Sequence, residues 1–361
     1  MKRRHLRHGL FPALTVLLGL VAGQEYSIPT ASVTGVTANA VNGGATATQP
    51  ADRTISALPA TKGGRPFSVS SPWNTPTANN TAWFDSVRLH TLATPVNGDS
   101  TLHWWVNTDS VGVYYASATD PVWTFDLPAL NAPPWHRVRA AQTFTVRGPA
   151  DMTDGGDSDH VLVLVSDNKY YEVWNANVDL STRRVTTRSA GATWAVGDIT
   201  SGPGAGSAIN DGTRASNFSW AGGLITGDDL QRGKIDHALV VALTAPILKA
   251  GGTSDYVAPA TAWDNGGAYG PIKMGSRIGI PATTPRPAGL SAVGKMVFDA
   301  LQKYGAFVGD FCGGPWPQFY SDKRTVSAAQ VEPLFAFWDH NGSADMEKII
   351  PLLRVADYPP L

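Results

Sequence analysis

Four polar side chains interrupt stretches that otherwise read as apolar strands: His160, Glu172, His237 and Arg277. A buried polar group costs about 1–3 kcal/mol unless it is hydrogen-bonded, so each placement needs a reason. One reading is a cleft in which a histidine moves a proton and an arginine holds a carboxylate, the set that glycan cleavage needs. The other puts each group at a strand end, paired to loop backbone. A carboxylate pair can also be drawn from Glu172, Asp264 and Asp310, although no spacing singles one out. Trp174, Trp220 and Trp263 lie beside these candidates and offer faces for sugar rings. Their commoner role is as core or loop anchors.

Other chemistries find no motif. The chain has neither a GxSxG nucleophile elbow nor an HExxH zinc motif. The glycine-rich loop at Ser201–Asp211 lacks the Lys-Ser/Thr of a phosphate loop, so no nucleotide is expected there. Asp151, Asp154, Asp157 and Asp159 gather hard oxygen ligands in one loop. Their spacing is not that of an EF-hand, and a solvated acidic loop is the preferred reading. Neither a metal nor a cofactor is assigned. The single cysteine, Cys312, lies among Gly and aromatic residues in FCGGPW and reads as a small buried residue rather than a nucleophile.

These groups need rigid elements to hold them. The clearest is a hairpin over His160–Asn175, HVLVLVSDNKYYEVWN, turning at Asp167-Asn168. A two-residue turn sets Val163 opposite Glu172 and His160 opposite Asn175, which puts Glu172 and His160 on opposite faces. His160 with His237 stays open. The stretch Ser216–Leu243 combines a Trp, a Gly-Gly pair, a short helix capped by Thr226 and closed by Gly233, and a buried strand over Ile235–Leu243. Helical spacing of Val293, Met296, Val297, Ala300, Leu301 and Tyr304 predicts a helix after Ser291, ended by Gly305. A strand should follow over Ala306–Phe311. Further expectations are a short helix over Ala82–Leu92, two strands around a turn within Leu102–Ala116, and strands at Val122–Phe125 and Thr143–Arg147. A strand over Gly270–Ile280 should carry Lys273 and Arg277, and a last short helix should run from Ser343 to Pro351. Trp135, His136 and Arg137 are placed in a loop, and Trp73 is read as an anchor.

Composition agrees with a β-rich chain. Of 361 residues only 16% are charged, while Gly (37), Pro (26) and Trp (12) are frequent. Few charges, many turns and many aromatics point to an all-β or β-dominated domain with long loops, and with the hairpin's run apolar on both faces the chain reads as a mainly β fold, a β-sandwich or jelly-roll-like domain with a few short helices. A formal net charge of -1 provides no broad basic field, so nucleic acid is not an expected partner. One cysteine permits no internal disulfide, so the core alone must hold the fold.

Three regions follow. Residues 1–28 open with a basic head (Lys2, Arg3, Arg4, Arg7) and an apolar run from Leu10 to Ala22. That run is short of the roughly 20 residues that span a bilayer, and it reads as a secretory signal or as a retained stem. Residues 29–64 are an Ala/Thr/Gly-rich extended connector. Residues 65–361 form the β-sandwich-like domain.

Five segments, in order, carry a family resemblance: SPWN (71–74), GDSDHVLVLV with KYYEVWNA (156–176), SWAGGLITGDDLQRGKIDHAL (219–239), KMGSRIGI (273–280) and ALQKYGAFVGD (300–310). Across residues 66–320 they resemble a largely uncharacterised family of secreted actinobacterial proteins. The family shows Asp-Arg-His where this chain has Ser158-Asp159-His160, and Arg after the HAL motif where it has Val240. The second departure weakens transfer of a charged site there. The basic-apolar start and its connector are also similar to minor tail proteins of actinobacteriophages. The resemblance implies a β-sandwich and two functional expectations. One is a virion tail protein whose domain contacts a host cell-wall glycan, with other tail proteins bound through residues 1–28 and an oligomeric state. The alternative is a secreted polysaccharide lyase or glycoside hydrolase.

Overall fold

The computed structural model describes residues 65–356, apart from short stretches at 86–90, 97–98, 102–103, 132–137, 157–158, 190, 207–210, 250–254, 265–267, 315–316 and 335–344. The expectations for residues 1–28 and 29–64, for Trp135, His136 and Arg137, and for Asp157 lie outside the described residues, as does the start of the last helix at Ser343. The described residues belong to one compact unit, Thr54–Leu361.

The fold is mainly β and β-sandwich-like. A long seven-stranded sheet runs in the order Trp83–Phe84, Arg354–Ala356, Arg277–Gly279, Ala306–Cys312, Leu239–Thr244, Gln318–Asp322, Trp105–Val111. A middle sheet holds Thr193–Asp198, Lys169–Trp174, Leu162–Ser166 and Val113–Tyr115, and an outer sheet holds Ala176–Asp179, Arg184–Thr187, Val122–Leu127 and Gln142–Arg147. The sheets are mixed. Leu239–Thr244 with Ala306–Cys312, Gln318–Asp322 with Trp105–Val111, and Leu162–Ser166 with Val113–Tyr115 are parallel pairs.

Period-two alternation on the central hairpin builds two cores. Leu162, Leu164 and Val173 join Trp123, Phe125 and Trp194 in the core shared with the outer sheet. Val163, Val165 and Tyr170 face the opposite way, into the core shared with the long sheet. A strand buried on both faces reads as a continuous apolar run, and Leu162–Ser166 is buried throughout. The hairpin turns through Asp167 and Asn168, both at positive φ, with Val163 opposite Glu172 as expected.

The capped helices form as their sequences require. Thr226 and Asp229 make a capping box around Gly227–Arg232, closed by left-handed Gly233. The helix Ala292–Lys303 is capped by the Ser291 hydroxyl and buries Val293, Met296, Val297, Phe298, Ala300 and Leu301. No helix among the described residues is long and apolar enough to cross a membrane.

Four expectations are corrected. Ala82–Leu92 is not a helix: Trp83–Phe84 is an edge strand paired to Arg354–Ala356, and a second strand starts at Thr91. Trp83 packs where Gly279 leaves room, so sheet contact overrides local helix propensity. Within Leu102–Ala116 the Asn-Thr-Asp-Ser tetrapeptide is strand, with the Asn107 side chain accepting from the N–H groups of Asp109 and Ser110. The break falls at Gly112, where the chain passes from the long sheet to the middle one. Gly270–Ile280 forms two strands in different sheets, divided by left-handed Gly275. The strand expected from Ile235 starts only at Leu239.

Trp73 ties the two sheets to the loop between them. Its indole donates to the Gly204 carbonyl (3.2 Å) and meets Phe218 and Phe307 edge-on at 5.3 and 5.5 Å. Gly222 and Gly223 are glycines because a Cβ at either would strike this ring. We expect Trp73→Ala to lower the unfolding free energy by about 3–5 kcal/mol in urea titrations. A loss below about 1 kcal/mol would show that the loop docks without it.

Candidate functional site

A loop wedged between the long and middle sheets builds the site. Residues 211–225 turn tightly, with the Arg214 N–H bonded to the Phe218 carbonyl (3.2 Å) and Asn217 at positive φ. The loop is bonded to the middle sheet through Glu172, which is fully buried and accepts from the Ser219 hydroxyl and the N–H groups of Thr213 (3.2 Å) and Ala221 (3.4 Å). It reaches the long sheet at Gly309, whose carbonyl accepts from the Ser216 N–H (3.3 Å). It also binds the next segment, since Ser216 O takes the Thr261 N–H and the Asn217 amide donates to the Thr261 hydroxyl (2.9 Å). That places Trp263 and Asp264 at the same cleft.

A β-bulge aims the central carboxyl. Along the parallel pair, Val241 partners Val308 and Ala242 partners Asp310, leaving Gly309 as the extra residue. Both bulge positions of such an irregularity turn to one side of the sheet. A Cβ on residue 309 would lie 2.7 Å from Val240 Cγ2, so glycine is needed there. Asp310 is thereby turned to the face that carries Phe307 and Val240.

Asp310 meets the end of Arg214, 3.6 Å away. The Arg214 side chain has no exposed surface. Its guanidinium lies between the rings of Trp220 (3.7 Å) and Tyr320 (4.3 Å), and none of its three nitrogens has a hydrogen-bond partner among the described residues. Stacking between the two rings therefore takes the place of hydrogen bonds around this group.

The cleft has a volume of about 310 Å³, within the range of small-ligand pockets. Asp159, Asp264 and Asp310 line it together with Trp174, Trp220 and Trp263. The Trp174 indole donates to Asp159 Oδ1 (3.1 Å), and Trp263 stacks on Tyr256 with the rings 2° from parallel. Burial pushes the Asp310 carboxyl far above the carboxylate range. Arg214 opposes this, and the charges of Asp159 and Asp264 reinforce it. Burial likewise lifts Glu172 to about 7, against the hydrogen bonds from Ser219, Trp220 and Ala221 and the charge of Arg214.

The residues singled out from sequence separate into groups. Trp174, Trp220 and Trp263 come together, although Arg214 covers one face of Trp220. Glu172 lies beneath the cleft as the fastener of its loop. His237 is elsewhere, buried against the capping box, with Nδ1 toward Ala238 O (2.9 Å) and Nε2 toward Asp229 Oδ2 (3.3 Å). Burial pulls its pKa down, but the Asp229 charge outweighs that and leaves it raised. Both ring nitrogens face acceptors, which suits the imidazolium. Arg277 stacks on Phe307 (4.4 Å) and donates to the carbonyls of Pro72 and Thr75, in a separate hollow. His160 has a left-handed backbone outside the strand and stands 3.6 Å from Asp154, which Arg188 also holds. His160, His237 and Arg277 are thus three separate arrangements, two of them at loop backbone. Among the described residues no group of acids, histidines or cysteine is set to hold a metal. Burial pushes the Cys312 thiol up to about 11.

Sequence reasoning passed over Asp159 and Arg214. Asp159 read as part of a solvated loop. Arg214 lies in a polar, turn-rich stretch where burial has no periodic signal. The Gly309-Asp310 step inside an apolar strand was the legible sign, because an isolated glycine in a strand marks a bulge. Comparison with known families, curated proteins and solved structures finds no match.

Stability should report the state of Glu172. The folded chain keeps its proton up to about pH 7, whereas the ordinary value is 4.5. The folded state therefore binds more protons between these values, and stability falls as pH rises through the window, by on the order of 3 kcal/mol. Urea midpoints should drop from about pH 5 to about pH 8, and Glu172→Gln should flatten the drop. Parallel curves for the two proteins would remove Glu172 as its source.

Proposed function

We propose that this chain binds and hydrolyses a glycan in the cleft of Asp159, Asp264 and Asp310, and that it does so as a tail component of an actinobacterial phage. One observation carries the chemical part: Asp310, whose carboxyl burial pushes well above the carboxylate range, lies among two other carboxylates and three tryptophans. Environments that push neighbouring acids apart are how an acid and a base are set at one pH. Asp310 gives its proton to the glycosidic oxygen as the bond to the anomeric carbon breaks. Water adds to that carbon and gives a proton to Asp159 or Asp264. Trp174 and Trp263 supply apolar faces for the ring.

The setting rests on the sequence. The basic-apolar start and the Ala/Thr-rich connector, similar to tail proteins, support a stem held by neighbouring subunits, and the domain would then meet the host envelope. A secreted enzyme with the same cleft is the second reading, supported by the signal-like character of residues 1–23. Intact mass of the native protein separates the two. Retention of residues 1–23 fits the virion, and their loss counts against it.

The enzymatic test is incubation of the full chain with mycobacterial and related cell-wall polysaccharides, reading reducing ends and unsaturated-sugar absorbance together. We expect reducing ends without unsaturation. Asp310→Asn should cut release by about 10²–10⁴-fold with little change in melting temperature. His237→Ala should lower the melting temperature and leave turnover per folded molecule intact. Full turnover in Asp310→Asn would end the proposed mechanism.

A further inference from the structure

The same cleft has a charge and a donor pattern that select among glycans. Its ionisable lining side chains are Asp159, Asp264 and Asp310, and no Lys, Arg or His lines it among the described residues. Two cations that adjoin lining residues in the chain, Arg214 and Arg188, are committed elsewhere. Arg214 is sealed between two rings behind Asp310. Arg188 is bonded to the Ala176 carbonyl and to Asp154, where His160 also stands. A sugar bearing carboxylate or sulfate would therefore enter a negative hollow with no counter-charge, and like charges in a partly enclosed site repel strongly.

Three polar atoms in the lining point to what is taken instead. The hydroxyls of Thr193 and Thr213 and the indole N–H of Trp220 belong to lining residues, are buried, and have no hydrogen-bond partner among the described residues. Buried polar atoms are nearly always satisfied, so three orphans among the residues of one cleft mark groups kept for a ligand. Two rotatable hydroxyls and one N–H complement alcohols, which both donate and accept. The carboxylates accept from further alcohols.

Resting on the glycan reading above, we infer that the cleft takes an uncharged glycan, bonded through Thr193, Thr213 and Trp220, and rejects uronate and sulfated chains. An eliminating lyase, which must neutralise a uronate carboxylate, is disfavoured by the same lining.

The test is affinity electrophoresis of the full chain in gels containing soluble neutral arabinogalactan or polygalacturonate, at low and high salt. Retardation by arabinogalactan with at least tenfold weaker retardation by polygalacturonate is the expected result. Thr193→Val and Thr213→Val, which keep side-chain shape, should each weaken arabinogalactan binding about 2- to 10-fold. Their melting temperatures should stay near that of the parent. Equal or stronger retardation by polygalacturonate overturns the inference and leaves a glycan-binding protein. Arabinogalactan binding untouched by both valine variants removes it from this wall. Retardation by neither polymer overturns the glycan reading together with the inference.

Discussion

The Arg214 guanidinium is buried where water does not reach, and much of the structure is arranged around that fact. A guanidinium without hydrogen bonds in an apolar interior is costly unless other groups replace its hydration. Trp220 and Tyr320 cover its two faces, and the Asp310 carboxyl stands 3.6 Å from its end. The loop that carries Arg214 must then be held in one position. Glu172 does this from below and Gly309 from the side, with Trp73 closing the end.

The cleft follows from that arrangement. A loop inserted between two sheets cannot be covered completely by either, and at its open end side chains from the long sheet, the middle sheet and the loop meet. Asp310, Trp174 and Trp220 come from these three sources, and Asp159 joins them from the approach to the central hairpin. Residues distant in sequence thus meet at one cleft, where strands hold Asp310 and Trp174 and the docked loop holds Trp220. The arrangement suits a site whose groups must keep fixed spacing.

Much of the scaffold was legible from sequence because local rules sufficed. The hairpin register followed from a two-residue turn, and the two capped helices from Thr226, Gly233 and Ser291. Those signals live within a few residues of the structure they specify. The site was harder to read. Trp174, Trp220 and Trp263 could be named from their polar neighbours, but His160, His237 and Arg277 were singled out by a criterion that also selects structural pairing. His237 answers to Asp229, eight residues back, and Arg277 to backbone carbonyls near Trp73. Arg214 and Asp159 gave no periodic signal because loops have no face. The Ala82–Leu92 segment misled because its place at a sheet edge is decided by Ala356 and Val355, far along the chain.

The bulge at Gly309 also limits how this strand can vary in length. Elsewhere the β-rich body can gain or lose residues in its connections, since closing a slightly longer loop costs little. Between Ala306 and Asp310 it cannot. Adding or deleting one residue there changes parity, so the carboxyl would turn into the opposite core and the space kept by Gly309 would receive a side chain. Natural variants should therefore differ freely in the loops around the cleft while preserving the count of this short segment.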